Sequence, residues 1–198
     1  MKKSVLMLAA LGAAACCLGA CGGKTDDGGG KTDEYEKLNS MLAESYSSVS
    51  LTVTDTFSDD LSLKSVYVIK YSESEITVEY SVERFTEVSL DGPTTEVKTT
   101  LEGTAVIKGG TVTGGEEVGI TAAIANPIFN FKESYFENAT LTGVFFSADV
   151  KSASSFLGFT LSCTDMKVRA EFLDFFYSIE LSYTRDGSKV KYEYVFEV

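Results

Sequence analysis

The side chains that could carry chemistry in this chain are carboxylates, cysteines and glycine-rich turns, because its 198 residues include no histidine. Ser-His-Asp and Cys-His nucleophiles are thereby excluded, and the commonest general base, metal ligand and pH switch are gone. Two acid pairs stand out, Asp59-Asp60 and Glu116-Glu117. Adjacent side chains on a strand point to opposite faces, so neither pair makes a glycosidase-type dyad by itself. Glu75, Glu79, Glu83 and Glu87 recur every fourth residue. On a strand that spacing is about 13 Å, too far to share one cation, and it reads as a solvated face. The segment Gly109-Gly110-Thr111-Val112-Thr113-Gly114-Gly115 lacks the Gly-Lys-Ser/Thr ending and following helix of a phosphate loop, so it reads as turns. Asn138-Ala139-Thr140 matches a glycosylation sequon without further support. These residues point to a non-enzymatic protein with no cofactor and no metal.

The amino-terminal segment carries the most specific pattern. Lys2 and Lys3 are followed by an apolar run from Val5 to Ala15 and then by Leu18-Gly19-Ala20-Cys21. A positive start, a short apolar run and small residues before a cleavage point describe a secretory signal peptide. Leu18-Gly19-Ala20-Cys21 resembles the lipobox of bacterial lipoproteins. The resemblance implies a diacylglyceryl thioether on Cys21, cleavage before it, and acylation of the new amino end. It also implies a cell-envelope location, on the outer side of the cytoplasmic membrane or on the outer membrane. Cys16 and Cys17 leave with the signal and Cys21 takes the lipid, so Cys163 is the one thiol left and no intrachain disulfide forms. Cys163, flanked by Leu161 and Met166, reads as a buried inert thiol.

The whole chain has a net charge of −12, and the signal holds two bases and no acids, so the remainder is more acidic still. That balance argues against nucleic acid and against electrostatic adhesion to anionic headgroups. Membrane attachment is therefore expected through the lipid on Cys21; two or three acyl chains hold firmly where one does not. No further apolar run reaches the roughly 20 residues of a spanning helix.

Three segments follow: a signal over 1–20, the lipidated Cys and a Gly/Asp-rich flexible tether over 21–33, and a single β-rich domain over 34–198. The tether lacks the spacing of a calcium loop. A helix is predicted from Glu34 to Tyr46, with Asp33 as cap and Tyr35, Leu38, Leu42 and Tyr46 on one face. Strand alternation follows in Val49–Val53, Ile76–Val82 and Val97–Lys108. Asp91-Gly92-Pro93 reverses the chain between the last two. Their apolar sets share a face only if paired residue numbers sum to an odd value, which requires an even loop or a bulge; a four-residue loop would set Glu87 opposite Lys98. Ala139–Val150 and Cys163–Leu173 read as strands, and Ser152–Gly158 as a turn or short helix. Asp186-Gly187 predicts a two-residue type I′ hairpin. It pairs Tyr183 with Val190, Leu181 with Tyr192, Ile179 with Tyr194 and Tyr177 with Phe196, and sets Glu180 against Glu193.

About ten strands with one helix to cover them leave three ways to bury an apolar face: a closed sheet, two packed sheets, or a curved sheet around a cavity. The fold class is mainly β, with the helix packed on a large antiparallel curved sheet, a half-barrel or barrel; the alternative is a β-sandwich. In a cavity, Phe129, Phe131, Tyr135, Phe136, Phe145, Phe146, Phe156 and Phe159 would line the mouth and hold a hydrophobic or lipid-like molecule; in a solid fold they are core. The order of lipobox, tether, helix and strand meander resembles the lipoprotein-carrier fold, over residues 34–198. That resemblance implies a half-barrel with a helical lid. Two functions are expected: a lipid-anchored binding protein for a hydrophobic ligand, or a solid-core surface module contacting envelope proteins or polysaccharide.

Overall fold

The computed structural model describes residues 29–43, 46–88, 95–125 and 129–198. Residues 1–28, which include the expected signal, the lipobox-like Leu18-Gly19-Ala20-Cys21 and most of the expected tether, lie outside the described residues, as do Asp91-Gly92-Pro93 and Asn126-Pro127.

The protein is mainly β, built on one antiparallel sheet of ten strands. In chain order these are β1 (Ser48–Ser58), β2 (Leu61–Tyr71), β3 (Ile76–Val88), β4 (Thr95–Lys108), β5 (Thr111–Thr113), β6 (Phe136–Thr142), β7 (Phe145–Val150), β8 (Thr164–Phe172), β9 (Phe176–Arg185) and β10 (Ser188–Glu197). Across the sheet they run β5-β4-β3-β2-β1-β10-β9-β8-β7-β6. Two meanders are thus joined at the centre by the first and last strands. Their ladder runs from Ser48↔Glu197 to Thr56↔Lys189. The two edges, β5 and β6, do not meet, so the sheet is open and the expected barrel is not formed. All ten strands belong to one sheet, so the alternative of two packed sheets is not formed either.

The reason lies in the crossover. After the three-residue β5, Gly114 and Gly115 take positive φ values of 82° and 76° and turn the chain off the edge. Short 3-10 turns at Glu116–Val118, Ala122–Ala125 and Glu133–Tyr135 then carry it to the opposite edge. On the way Ile120, Phe129 and Phe131 become buried. Phe129 meets Tyr194 of β10 edge-on at 5.2 Å, and Phe131 stacks on Phe176 of β9 at 5.7 Å. The crossover therefore lies on one face of the sheet, here the inner face. A helix, α1 (Gly29–Leu42), adds buried Leu38 and Met41. Asn39 fixes it to the crossover: its amide donates to the Phe131 carbonyl at 2.7 Å and its oxygen accepts from the Phe131 N–H at 2.9 Å. The helix starts at Gly29, inside the stretch whose composition marks a tether, so Asp33 is within it rather than capping it. Tyr46 lies beyond its end and donates its hydroxyl to the Met41 carbonyl.

Register shows how alternation was converted into one apolar face. In β3 and β4, Ile76, Val78 and Val82 face Ile107, Ala105 and Leu101, an odd sum throughout. The ladder ends at Val88↔Thr95, with residues 89–94 rather than four residues between the strands, so Glu87 faces Glu96, not Lys98. Lys98 instead ion-pairs diagonally with Glu83 at 2.8 Å and donates to the Ser62 carbonyl. Glu79 pairs with Lys70 at 2.6 Å. At the last hairpin, Asp186 and Gly187 have φ values of 51° and 86°, and three of the four expected pairs form. The fourth does not: the ladder ends at Val195↔Ser178, Phe176 turns inward and Tyr177 outward. Lys191 bridges Glu180 at 2.8 Å and Glu193 at 3.6 Å, which relieves the like-charge pair. Thr142-Gly143-Val144 breaks the 139–150 segment into β6 and β7, with Gly143 at φ 61°. Within 152–158 a short helix forms, α2 (Ala153–Leu157).

Phe131 is 1% exposed and touches the rings of Phe136, Phe146, Phe156 and Phe176. Phe131→Ala should therefore cost about 3–5 kcal/mol in a urea unfolding titration. Phe159→Ala, at a 58% exposed site, should stay within about 0.5 kcal/mol. Equal losses at the two positions would contradict this packing.

Candidate binding surface

The eight aromatics are not brought together as one set. Phe129, Phe131, Phe136, Phe146 and Phe156 are buried and pack on one another, with ring centroids 5.2–6.0 Å apart. Tyr35 of α1 closes the cluster against Phe136 and Phe146. These separations are ordinary ring contact, so the rings occupy the space between them. Tyr135 is half-buried beside the cluster, with the Lys132 ammonium 5.8 Å from its ring. Phe145 and Phe159 are exposed. Phe145 is next to Phe146 on β7, and adjacent strand residues must face opposite ways.

A groove of about 300 Å³ opens between the end of β7, α2 and the start of β8. Val150, Lys151, Ser152, Leu161, Cys163 and Asp165 are among its walls, and none of the eight aromatics is. Cys163 is half-buried there rather than buried, and that partial burial pushes its thiol pKa up. Among the described residues no group of three acids or cysteines is placed to hold a metal ion. Glu116 and Glu117 sit in a 3-10 turn, where Glu117 accepts from the Tyr80 hydroxyl and its pKa is lowered by that bond.

The surface that sequence patterns did not single out is the inner face of β1–β4. Burial fades along these strands. The row Val49, Ile69, Val78, Ala105 is fully covered. The row Leu101, Val82, Ser65, Val53, Tyr192, two steps along, is half-open. Beyond it Leu63 is half-open and Val97 is exposed. The crossover and α1 cover one end only, and these strands of 11 to 14 residues outrun them. An ion pair borders the open region: the Arg185 guanidinium donates to Asp55 Oδ2 at 2.9 Å, while the buried Asp55 Oδ1 has no partner. Beside it β10 presents a stack of rings, Tyr192 on Tyr194 and Tyr194 on Phe196, both at 6.4 Å. The floor is apolar at Val53, Val82 and Leu101, and Asp55, Arg185 and Arg84 border it, the Arg84 guanidinium donating to the Glu117 carbonyl at 3.4 Å. The signal that could have found it was the length of β1–β4 against the small amount of chain left to cover them.

No protein-family model matches the chain, and no curated protein matches its sequence.

Burial raises the phenol pKa of Tyr71 to about 12 and raises those of Tyr183 and Tyr194 as well. In the unfolded chain these phenols ionise near pH 10. Their contribution to stability is complete below about pH 10 and is lost as pH rises through the folded-state values. Stability should therefore fall above about pH 10, with phenolate absorbance appearing together with loss of the sheet's circular dichroism. Complete tyrosine ionisation in a still-folded sheet would contradict it.

Proposed function

We propose that this is a lipid-anchored, non-enzymatic protein of the bacterial cell envelope that acts as a surface interaction module. The open apolar end of the inner face of β1–β4 is its binding surface. The observation that carries this reading is the filled interior. Five buried phenylalanines close on one another, while Val53, Leu63, Val82, Val97 and Leu101 stay partly or fully open at the other end of the same face. A pocket that holds a small ligand buries most of that ligand's surface. A floor covered at one end offers less enclosure and fits a partner that brings its own surface, such as an envelope protein or a polysaccharide. Attachment through Cys21 and a short tether would keep the module close to the membrane.

A second reading has its own support. The open sheet, curved into a half-barrel with α1 as its cover, would offer the apolar floor and the Asp55–Arg185 rim to an amphipathic, lipid-like molecule. Hydrocarbon would lie on Val53, Val82 and Leu101, and a polar head would meet Arg185.

Two measurements test these readings. Radiolabelled fatty acid should enter the protein made in a bacterial host, and Cys21→Ser should abolish both labelling and signal removal. Persistent labelling of that variant would overturn the anchor. Organic extraction of the purified protein, followed by mass spectrometry, should yield no stoichiometric lipid beyond the covalent anchor. One extracted lipid per chain, lost in Leu101→Glu, would replace the first reading with the second.

A further inference from the structure

Among the described residues the β4 side of the sheet has an uncovered edge. β5 pairs with only Val106, Ile107 and Lys108 of β4. The crossover then passes the Thr104 carbonyl, which lies 2.8 Å from where a side chain on Gly114 would begin. From Thr95 to Gly103 the outer side of β4 has no strand partner among the described residues. Its N–H and C=O groups form an open template for another strand. Natural edges are commonly guarded by an unpaired lysine, by proline or by a bulge. Here the register of β4 against β3 runs unbroken, and the one lysine between Thr95 and Gly103, Lys98, is followed four residues later by Glu102.

We propose that β4 is a self-association edge: two copies of this chain pair their β4 strands antiparallel about a two-fold axis at Thr100. Three neighbouring two-fold registers also keep the apolar faces on one side, and they can be compared by charge. An axis at Thr99 sets Glu96 against Glu102 of the partner, and one at Lys98 sets the two lysines against each other. An axis at Leu101 sets Lys98 against threonine. At Thr100 each Lys98 meets the Glu102 carboxylate of the other copy, twice by symmetry, and no like charges meet over residues 97–103, the part of the free stretch this axis pairs. Opposite charges directly across a pair of strands stabilise it, and like charges destabilise it. Lys98 already holds Glu83 at 2.8 Å, so it would stand between two carboxylates. Glu102 is exposed and accepts from the Ser81 hydroxyl at 3.3 Å.

The inner face agrees with the same register. Val97, 43% exposed, comes opposite Gly103, and Thr99 comes opposite Leu101. Gly103 lacks a side chain because the Tyr80 ring lies where one would be. Val97 of the second copy therefore arrives at the hydroxyl end of that ring, where Tyr80 donates to the Glu117 carboxylate of the crossover. The open floors of the two copies become neighbours across the axis, so the pairing enlarges the surface described above without depending on what binds there.

The test uses disulfide trapping in the exported chain, purified in mild detergent and carrying Cys163→Ser, with copper-phenanthroline as oxidant. Residues directly opposite in an antiparallel pair have Cα atoms about 4.5–5.5 Å apart, within disulfide range. Thr100→Cys should give a covalent dimer as the main product, and the parent chain none. Lys98→Cys alone should not crosslink, because its two copies would stand about 13 Å apart along the strands. Mixing Lys98→Cys chains with Glu102→Cys chains should give the heterodimer. Adding Glu102→Lys to Thr100→Cys should lower the yield about fivefold. Each variant must keep the parent's circular dichroism and unfolding midpoint. A folded Thr100→Cys chain that stays monomeric would overturn the proposal. Self-crosslinking of Lys98→Cys as efficient as that of Thr100→Cys would overturn it too.

Discussion

The pairing of β1 with β10 is the constraint on which the molecule depends. Without that ladder, from Ser48↔Glu197 to Thr56↔Lys189, there are two separate five-stranded meanders, each with an apolar face and little to cover it. With it, the inner residues form continuous rows. Val49 lies between Ile69 and Phe196, and Leu51 lies between Tyr67 and Tyr194. Because the central seam is made by the ends of the strand order, the middle of the chain must travel from one edge of the sheet to the other. That crossover brings Phe129 and Phe131 onto the inner face and supplies the plug that the strands themselves lack.

Cover is concentrated where the crossover, α1 and the aromatic cluster meet, and it fades toward the far ends of β1–β4. The same shortage of chain explains two features together: the half-open floor around Val53, Val82 and Leu101, and the unpaired stretch of β4 beyond β5. Chemistry is sparse across the whole surface. Several acids are answered by nearby cations, among them Glu83 by Lys98, Asp149 by Lys167 and Asp55 by Arg185. Exposed pairs of this kind contribute little stability each, and their effect is on register and on which face stays wet.

Local pairing was legible in the sequence, because it depends on features a few residues apart. Asp186-Gly187 with alternating flanks set the register of the last hairpin, and apolar parity set the odd sum of β3 with β4. The Tyr177–Phe196 pair failed because alternation shifts by one near Tyr177, where Phe176, Ile179 and Leu181 all face inward. Long-range placement was not legible. Residues 114–135 carry no periodicity that announces a crossover, and closure of the sheet depends on where that segment lands. The aromatic set divided for a related reason. Phe145 and Phe146 have the same composition signal, and the register of β7 against β8, Phe146↔Ala170, decides which one is buried.

The position of β10 has a consequence for when the molecule takes shape. It is the tenth strand in order of synthesis yet the fifth neighbour from one edge and the sixth from the other, so the sheet's middle is made last. Contacts that join distant parts of a chain form slowly, since a large loop must close first. Until Val190, Tyr194 and Phe196 arrive, Val49 and Leu51 of β1 have no second neighbour, and the two halves have nothing to hold them together. A chain emerging amino end first would stay incompletely folded until nearly all of it had appeared.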